Sequence, residues 1–242
     1  FWVRAEIQSG NEKGGTYYWT LVETNNNGQP VAKIACRIWS NKLREIKKKF
    51  KENGLEFNPK NGMMVGLQCQ LQYNPIYGLS LSVIDADTAF ALGEMEQKKR
   101  DILERLTKEN LLNRNKSKVL TSLPCRIGLV TSKGSAAYKD FIETLKACNF
   151  GFNIYLADSK MQGVDTEKAI LASLQAIEKI DVDVVIIIRG GGSKTDLFDL
   201  DNEAIARYIA HYKYPIFTGI GHEIDISILD SVAYQFYKTP TA

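Results

Sequence analysis

Three short segments carry side chains whose types and spacing suit phosphate chemistry. Arg189-Gly190-Gly191-Gly192-Ser193 follows the apolar run ending Ile186-Ile187-Ile188. Glycines let backbone N–H groups approach an anion closely, and a guanidinium adds bidentate contacts. The alternative for these glycines is a tight strand-to-helix turn that needs positive φ. The segment is not a P-loop, because Ser193 rather than Gly precedes Lys194, and it lacks the third glycine of G-x-G-x-x-G. Thr131-Ser132-Lys133-Gly134-Ser135 is a hydroxyl-rich loop opening a helix, a place where phosphate binds and also where a helix is merely capped. In Gly219-Ile220-Gly221-His222-Glu223-Ile224-Asp225, His222 and Asp225 share a face if a helix starts there. Such a pair can work as a general acid or base with an orienting carboxylate, or can simply cap a helix. A zinc-protease motif is excluded, since H-E-x-x-H requires His where Ile226 stands. Asp140 falls in the helix after the Thr131–Ser135 loop; its plainest reading is a solvated acid.

A second set of residues suits a flexible polyanion. In the run Val31–Trp39, Ala32, Ile34, Cys36 and Ile38 alternate with Lys33, Arg37 and Trp39, so two cations and an indole share the outer side, with Tyr18 and Thr20 expected beside them. Single-stranded nucleic acid is held by cations on phosphates and rings on bases, at about 1–3 kcal/mol per stacked base. A solvated strand face with Trp39 covering a loop accounts for the pattern as well.

The elements that must position these residues change period near residue 90. Before it, alternating runs at 1–8, Thr16–Glu23, Val31–Trp39, Met64–Tyr73 and Gly78–Ile84 are separated by turn clusters such as Ser9-Gly10-Asn11 and Asn25-Asn26-Asn27-Gly28. One amphipathic helix, Asn41–Lys51, lies between the third and fourth runs, which is the order of an OB-fold barrel. Residues 92–112 read as a connecting helix and Asn113–Ser122 as a polar linker. Thereafter strand and helix alternate: strands at Arg126–Thr131, Phe152–Leu156, Val182–Ile188 and Pro215–Thr218, helices at Ala136–Lys146, Thr166–Lys179, Glu203–His211 and Ile224–Gln235. The apolar β-branched run Val182–Ile188 is that of a strand buried on both faces of a parallel sheet. The expected organisation is therefore an all-β OB-fold barrel over 1–90, a connecting helix and linker over 91–122, and a doubly wound α/β domain over 123–242. In the latter, ligands bind beyond the carboxyl ends of the strands.

Length and composition are those of a globular chain: 242 residues, 44% hydrophobic, 24% charged. The net charge of +3 discriminates little, but residues 1–100 hold 14 Lys and Arg against 10 Asp and Glu, whereas residues 101–242 hold 17 against 18. No apolar run approaches the roughly 20 residues of a membrane span, and nothing at the start reads as a secretory leader. The opening Phe1-Trp2-Val3 begins mid-pattern without Met, so a piece of a longer chain is expected. Cys36, Cys69, Cys125 and Cys148 are widely spaced in apolar contexts, which suits a reducing compartment and a cytoplasmic location.

Taken in order, Arg126-Ile127-Gly128-Leu129-Val130-Thr131-Ser132, Arg189-Gly190-Gly191-Gly192-Ser193 with Asp196-Leu197, Gly221-His222-Glu223 with Asp225, and Thr239-Pro240-Thr241-Ala242 resemble the large subunit of bacterial exodeoxyribonuclease VII. The resemblance covers the whole chain and implies an OB-fold followed by a catalytic domain. It further implies hydrolysis of single-stranded DNA from both ends to short oligonucleotides and nucleoside 5′-phosphates. Matched position by position, it places the catalytic Asp, Arg, His and Asp on Asp140, Arg189, His222 and Asp225. The sequence departs from the family pattern at Ile188, Lys133-Gly134-Ser135 and Lys238. The family chain continues into long helices carrying copies of a small subunit, so that partner's binding region is expected to be missing after Ala242.

The mechanism expected from these residues has Thr131, Ser132, Gly190, Gly191, Gly192 and Ser193 holding the scissile phosphate, with Arg189 stabilising its charge. His222 serves as base on water or acid on the leaving oxygen, Asp225 orients it, and Asp140 completes the network or places the water. Tyr18, Lys33, Arg37 and Trp39 are the expected single-strand contacts. Mg²⁺ held by Asp140 and Asp225 is an alternative, and two carboxylates are no firm metal signature. Two rival functions are a catalytically silent single-strand-binding module and an enzyme acting on a small phosphorylated metabolite.

Overall fold

A computed structural model describes residues 1–241 except 26–28, 149, 164, 191–194 and 221–225. Its contacts separate two compact units, Phe1–Gln97 and a second beginning at Lys98.

The first unit is a closed five-stranded barrel. Strands β1 (Trp2–Lys13), β2 (Thr16–Thr24) and β3 (Pro30–Ile38) are followed by helix α1 (Ser40–Glu52), then β4 (Met64–Asn74) and β5 (Gly78–Ala86), joined in the order β1-β2-β3-β5-β4. Only the β3–β5 pairing is parallel, and β1–β4 closes the barrel. Leu43, Ile46 and Phe50 project from one side of α1 into the core beside Ile7, Leu21, Ile38 and Leu67, as their helical spacing requires. The first turn is not where Ser9-Gly10-Asn11 was expected. The strand runs through those residues, with a register shift between Ile7 and Ser9, and turns at Gly14-Gly15, whose φ values are +60° and +72°. Two successive positive φ angles favour glycine, so that pair outcompetes Gly10. Of the expected inner row of β3, Cys36 and Ile38 are buried, Ile34 is half-buried and Ala32 is exposed. The reason is extent: β5 covers β3 only from Ala35 to Arg37.

The second unit holds a parallel sheet with helices. Helix α2 (Thr88–Lys108) starts four residues earlier than expected; its residues Ile102 and Leu106 are buried in this unit's core. Then come β6 (Arg126–Thr131), α3 (Ala136–Ala147), β7 (Asn153–Asp158), α4 (Thr166–Glu178), β8 (Val184–Ile188), α5 (Thr195–Phe198), α6 (Glu203–His211), β9 (Ile216–Gly219), α7 (Ile228–Val232) and β10 (Gln235–Phe236). The strand order is β10-β9-β8-β6-β7, with every pairing parallel. Val185 and Ile187 of β8 lie in the larger core with α2, α4, α6 and α7, whereas Ile188 packs with Leu129 against Ala137 and Phe141 of α3. Burial on both faces explains the unbroken apolar run of β8.

Two expectations differ at the edges of this unit. The helix expected over Ile224–Gln235 is the short α7, after which the chain turns extended and pairs with β9 as β10. The segment expected as a polar linker is anchored: Asn115 has 0% exposure, its side-chain amide donates to the carbonyls of Ile209 (3.0 Å) and Tyr214 (3.1 Å), and its oxygen accepts from Ile216 N (2.9 Å).

At the amino end of the sheet, Arg126 bridges Asp181 and Asp183, and Asp183 also accepts from the amides of Cys125 and Arg126. The Arg126 guanidinium, then the amides, hold the Asp183 carboxyl below its ordinary range. A depressed folded-state pKa stabilises the fold above the unfolded carboxylate's pKa and is lost as pH falls through the folded one. Asp183→Asn is therefore expected to lower the melting temperature near neutrality and to converge with wild type as the pH falls, which flattens the acid limb of the profile. An unchanged acid limb would show that the pair carries no such linkage.

No helix among the described residues is long and apolar enough to cross a membrane. None of the four thiols forms a disulfide; Cys36 and Cys69 are buried, but Cys148, expected in an apolar context, is exposed and donates to Thr144 O. That side of α3 faces outward at its last turn.

Candidate functional site

In the order β10-β9-β8-β6-β7 the chain reverses direction across the sheet between β6 and β8. A crevice opens beyond the carboxyl ends of two such strands, because their following helices leave to opposite faces. The two loops singled out from sequence start at this point: Thr131 ends β6 and Arg189 follows β8, side by side through the Val130–Ile187 pairing.

On the β6 side, Ser135 caps α3 by accepting from Tyr138 N at 3.2 Å, and Lys133 N donates to Asp158 Oδ1 at 2.8 Å, which ties the loop to the end of β7. Thr131 is fully buried and among the described residues its hydroxyl has no hydrogen-bond partner; nor, among them, has the hydroxyl of Ser159, whose amide donates to Thr131 O at 2.9 Å. Leaving a buried hydroxyl unpaired costs about 1–3 kcal/mol. Ser132 is half-buried, while Asp140 is exposed on α3. On the β8 side, Arg189 is only 5% exposed and donates its amide to Gly219 O at 3.2 Å. A Cβ at Gly190 would rest 3.7 Å from the amide and Cβ of Ala137, so this glycine sits over the first turn of α3. Helix N-termini present unsatisfied N–H groups and the positive end of the helix dipole, so this is a place for an anion.

β9 brings the third segment to the same edge. Thr218 Oγ1 donates to Asp230 Oδ1 at 2.6 Å, and Asp230 closes a reciprocal capping box with Ser227 at the start of α7. Ile226 O accepts from Lys99 Nζ, and the same ammonium lies 3.4 Å from Asp201, whose other oxygen accepts from Ile228 N at 2.7 Å. Burial raises the Asp201 carboxyl's pKa above its ordinary value, opposed by the Lys99 charge and the Ile228 amide. Residues on both sides of the His222–Asp225 segment are thus fixed.

The structure therefore brings Thr131, Ser132, Arg189 and Gly190 to one end of the sheet. Gly191, Gly192, Ser193, His222 and Asp225 lie outside the described residues. Asp140 is in the adjoining helix, with no ionic partner among the described residues. Those residues contain no group of three or more His, Cys, Asp or Glu that could hold a metal ion. Sequence reading missed Thr218, Asp230, Ser227, Asp201 and Lys99 as supports. Ser227-Ile228-Leu229-Asp230 was legible as an S-x-x-D capping box; the Lys99–Asp201 contact joins residues too far apart for any local signal. A separate apolar groove of about 240 Å³ along β8 and β9 is lined by Ile186, Ile188, Phe217 and Tyr237, and neither Thr131 nor Arg189 lines it.

On the barrel, Tyr18 and Arg37 are direct cross-strand partners. The Arg37 guanidinium lies 5.5 Å from the Tyr18 ring centre and 4.8 Å from that of Trp39, and the rings are 40% and 42% exposed. Stacking on both rings holds a long cation in place with its outer edge free for an anion. Lys33 lies further along the same strand, opposite Val22 and exposed. A polar concavity lined by Ser9, Asn11 and Thr20 adjoins Tyr18.

Comparison with known proteins matches residues 111–242 to the family described as exonuclease VII, large subunit, and residues 1–87 to an OB-fold nucleic acid binding domain. Among curated relatives, the exodeoxyribonuclease 7 large subunit of Pseudothermotoga lettingae is 38% identical over 150 residues, covering 62% of this chain and 38% of that protein. That of Campylobacter hominis is 31% identical over 229 residues, or 94% of this chain and 55% of its own. That of Nitrosomonas eutropha is 30% identical over 242 residues, or 99% and 51%. The chain thus spans roughly a third to a half of the length of the relatives it matches.

Proposed function

The chain belongs to the exonuclease VII large-subunit family, and from that premise we propose that it hydrolyses phosphodiester bonds of single-stranded DNA from both ends, yielding short oligonucleotides and nucleoside 5′-phosphates. The observation that carries the reading is the meeting of the Thr131–Ser135 loop, Arg189 and Gly190 at one switch point, beside the strand that leads into His222 and Asp225.

In this reading the backbone around Gly190 and the first turn of α3 receive the nonbridging oxygens, and Arg189 stabilises the charge that grows on them during attack. A water oxygen forms a bond to phosphorus while the bond from phosphorus to the 3′ oxygen breaks. His222 moves the proton, as base toward the water or as acid toward the departing 3′ oxygen. Asp225 holds the ring for that transfer, and Asp140 completes the network. The Tyr18–Arg37–Trp39 cluster and Lys33 hold the single strand. By the same analogy the full-length protein works with a smaller partner subunit, in the cytoplasm, in DNA catabolism and repair.

End-labelled single-stranded and duplex oligonucleotides, each with EDTA or Mg²⁺, test the proposal. Shortening confined to the single strand is the expected result, and the EDTA arm decides whether a metal takes part. Intact substrates in every arm, with single-strand binding preserved, would instead favour the silent binding module. Trp39→Ala is expected to weaken single-strand affinity about 5- to 100-fold through lost stacking; an unchanged affinity would remove this face from the reading.

A further inference from the structure

Helix α1 concentrates charge in a way the barrel core does not require. It holds six of the eleven Lys and Arg in residues 1–97, against two Glu. Lys42 pairs with Glu45, Lys48 with Glu52, and Lys49 with Asp85 and the Ala86 carbonyl. Among the described residues no ion pair engages Arg44, Lys47 or Lys51, and all three are exposed. Their spacing of three and four places them in one stripe, about a third of a turn from the buried row Leu43, Ile46 and Phe50.

That stripe adjoins the aromatic cluster. Trp39 is the cap residue of α1, and Arg44 Nε reaches back to Ser40 O at 3.4 Å. The Lys47 ammonium lies 5.6 Å from the ring centre of Tyr17, which stacks on the buried Trp19 and so lies on the other face of β2 from Tyr18. Three uncompensated cations in line, beginning where two exposed rings end, complement a polyanion whose phosphates continue past its stacked bases.

We infer that α1 is a phosphate track: Arg44, Lys47 and Lys51 neutralise successive backbone phosphates of a single strand whose bases stack at Trp39 and Tyr18. The inference rests on the single-strand reading above and extends it to residues outside that face. It assigns the two elements different physics. Releasing counterions makes the track sensitive to salt, with a slope of about −0.7 per phosphate in log affinity against log salt for a single strand. Stacking on Trp39 contributes affinity and almost no slope.

The test is fluorescence anisotropy of labelled oligo(dT) with the full chain, titrated at several salt concentrations. The triple variant Arg44→Gln, Lys47→Gln, Lys51→Gln is expected to reduce the slope by about 2, at about 0.7 per lost contact, and to bind at least tenfold more weakly at low salt. A control variant, Lys60→Gln, Lys108→Gln, Lys146→Gln, removes the same charge from exposed positions off the helix and is expected to leave the slope nearly unchanged. Equal slopes in the two variants would overturn the track, because only the overall field would then act. A wild-type chain that fails to bind oligo(dT) would overturn the single-strand reading itself. Trp39→Ala separates the cases further: it should lower affinity at every salt concentration with an unaltered slope.

Discussion

Replacing His222 by alanine is expected to cut cleavage of an end-labelled single strand by about two to four orders of magnitude, the usual worth of a positioned general acid or base. Single-strand affinity should stay within about twofold, since the Tyr18–Arg37–Trp39 cluster lies on the barrel unit. The described residues on either side of the segment are fixed by contacts of their own. Thr218 is bonded to Asp230, Ser227 closes its capping box, and Lys99 holds the Ile226 carbonyl. Cleavage rate, anisotropy and melting temperature should be measured on one preparation. A lower melting temperature together with loss of binding would make His222 a structural residue; unchanged cleavage would remove it from the mechanism. Asp225→Asn, which keeps the shape but not the charge, should fall between wild type and His222→Ala if its task is to orient the ring.

The largest stability effect is expected at Asn115→Ala. The buried amide satisfies two carbonyls and one amide on segments nearly a hundred residues away, where α6 ends and β9 begins. Alanine removes the partner of the Tyr214 carbonyl and of the Ile216 amide, whereas the Ile209 carbonyl keeps the Tyr212 amide, and each buried group left unpaired costs about 1–3 kcal/mol. A loss of about 3–5 kcal/mol follows, with a fall in the second unit's melting temperature on the order of 10–15 °C. Asn115→Asp keeps the acceptor for Ile216 N but loses both donated bonds, so it should not rescue. Calorimetry that finds Asn115→Ala within about 1 kcal/mol of wild type would mean that water replaces the side chain and that 113–122 behaves as the linker its polarity implies.

Asn115 also marks where sequence reading stops. In a polar stretch an anchoring Asn and a solvated Asn look alike, because the difference lies in partners supplied by α6 and β9. The first turn was likewise expected at Ser9-Gly10-Asn11, and strand pairing places it at Gly14-Gly15, where two positive φ angles are needed. Residue 148 followed an apolar helix face, yet the end of α3 leaves it exposed.

What the sequence determined by itself is local. Alternation and helical spacing give the strands and helices of the barrel, the apolar run of β8, and the placement of Thr131, Arg189 and Gly219 at strand ends. These follow from side-chain periodicity, which a few neighbouring residues suffice to set. The tertiary structure decided what meets what. The order β10-β9-β8-β6-β7 puts β6 against β8, so that Thr131 and Arg189 face one crevice, and the pairing of β2 with β3 sets Arg37 between Tyr18 and Trp39. Strand order and register depend on contacts between segments tens of residues apart, to which local periodicity is blind; burial of the shared core selects among them.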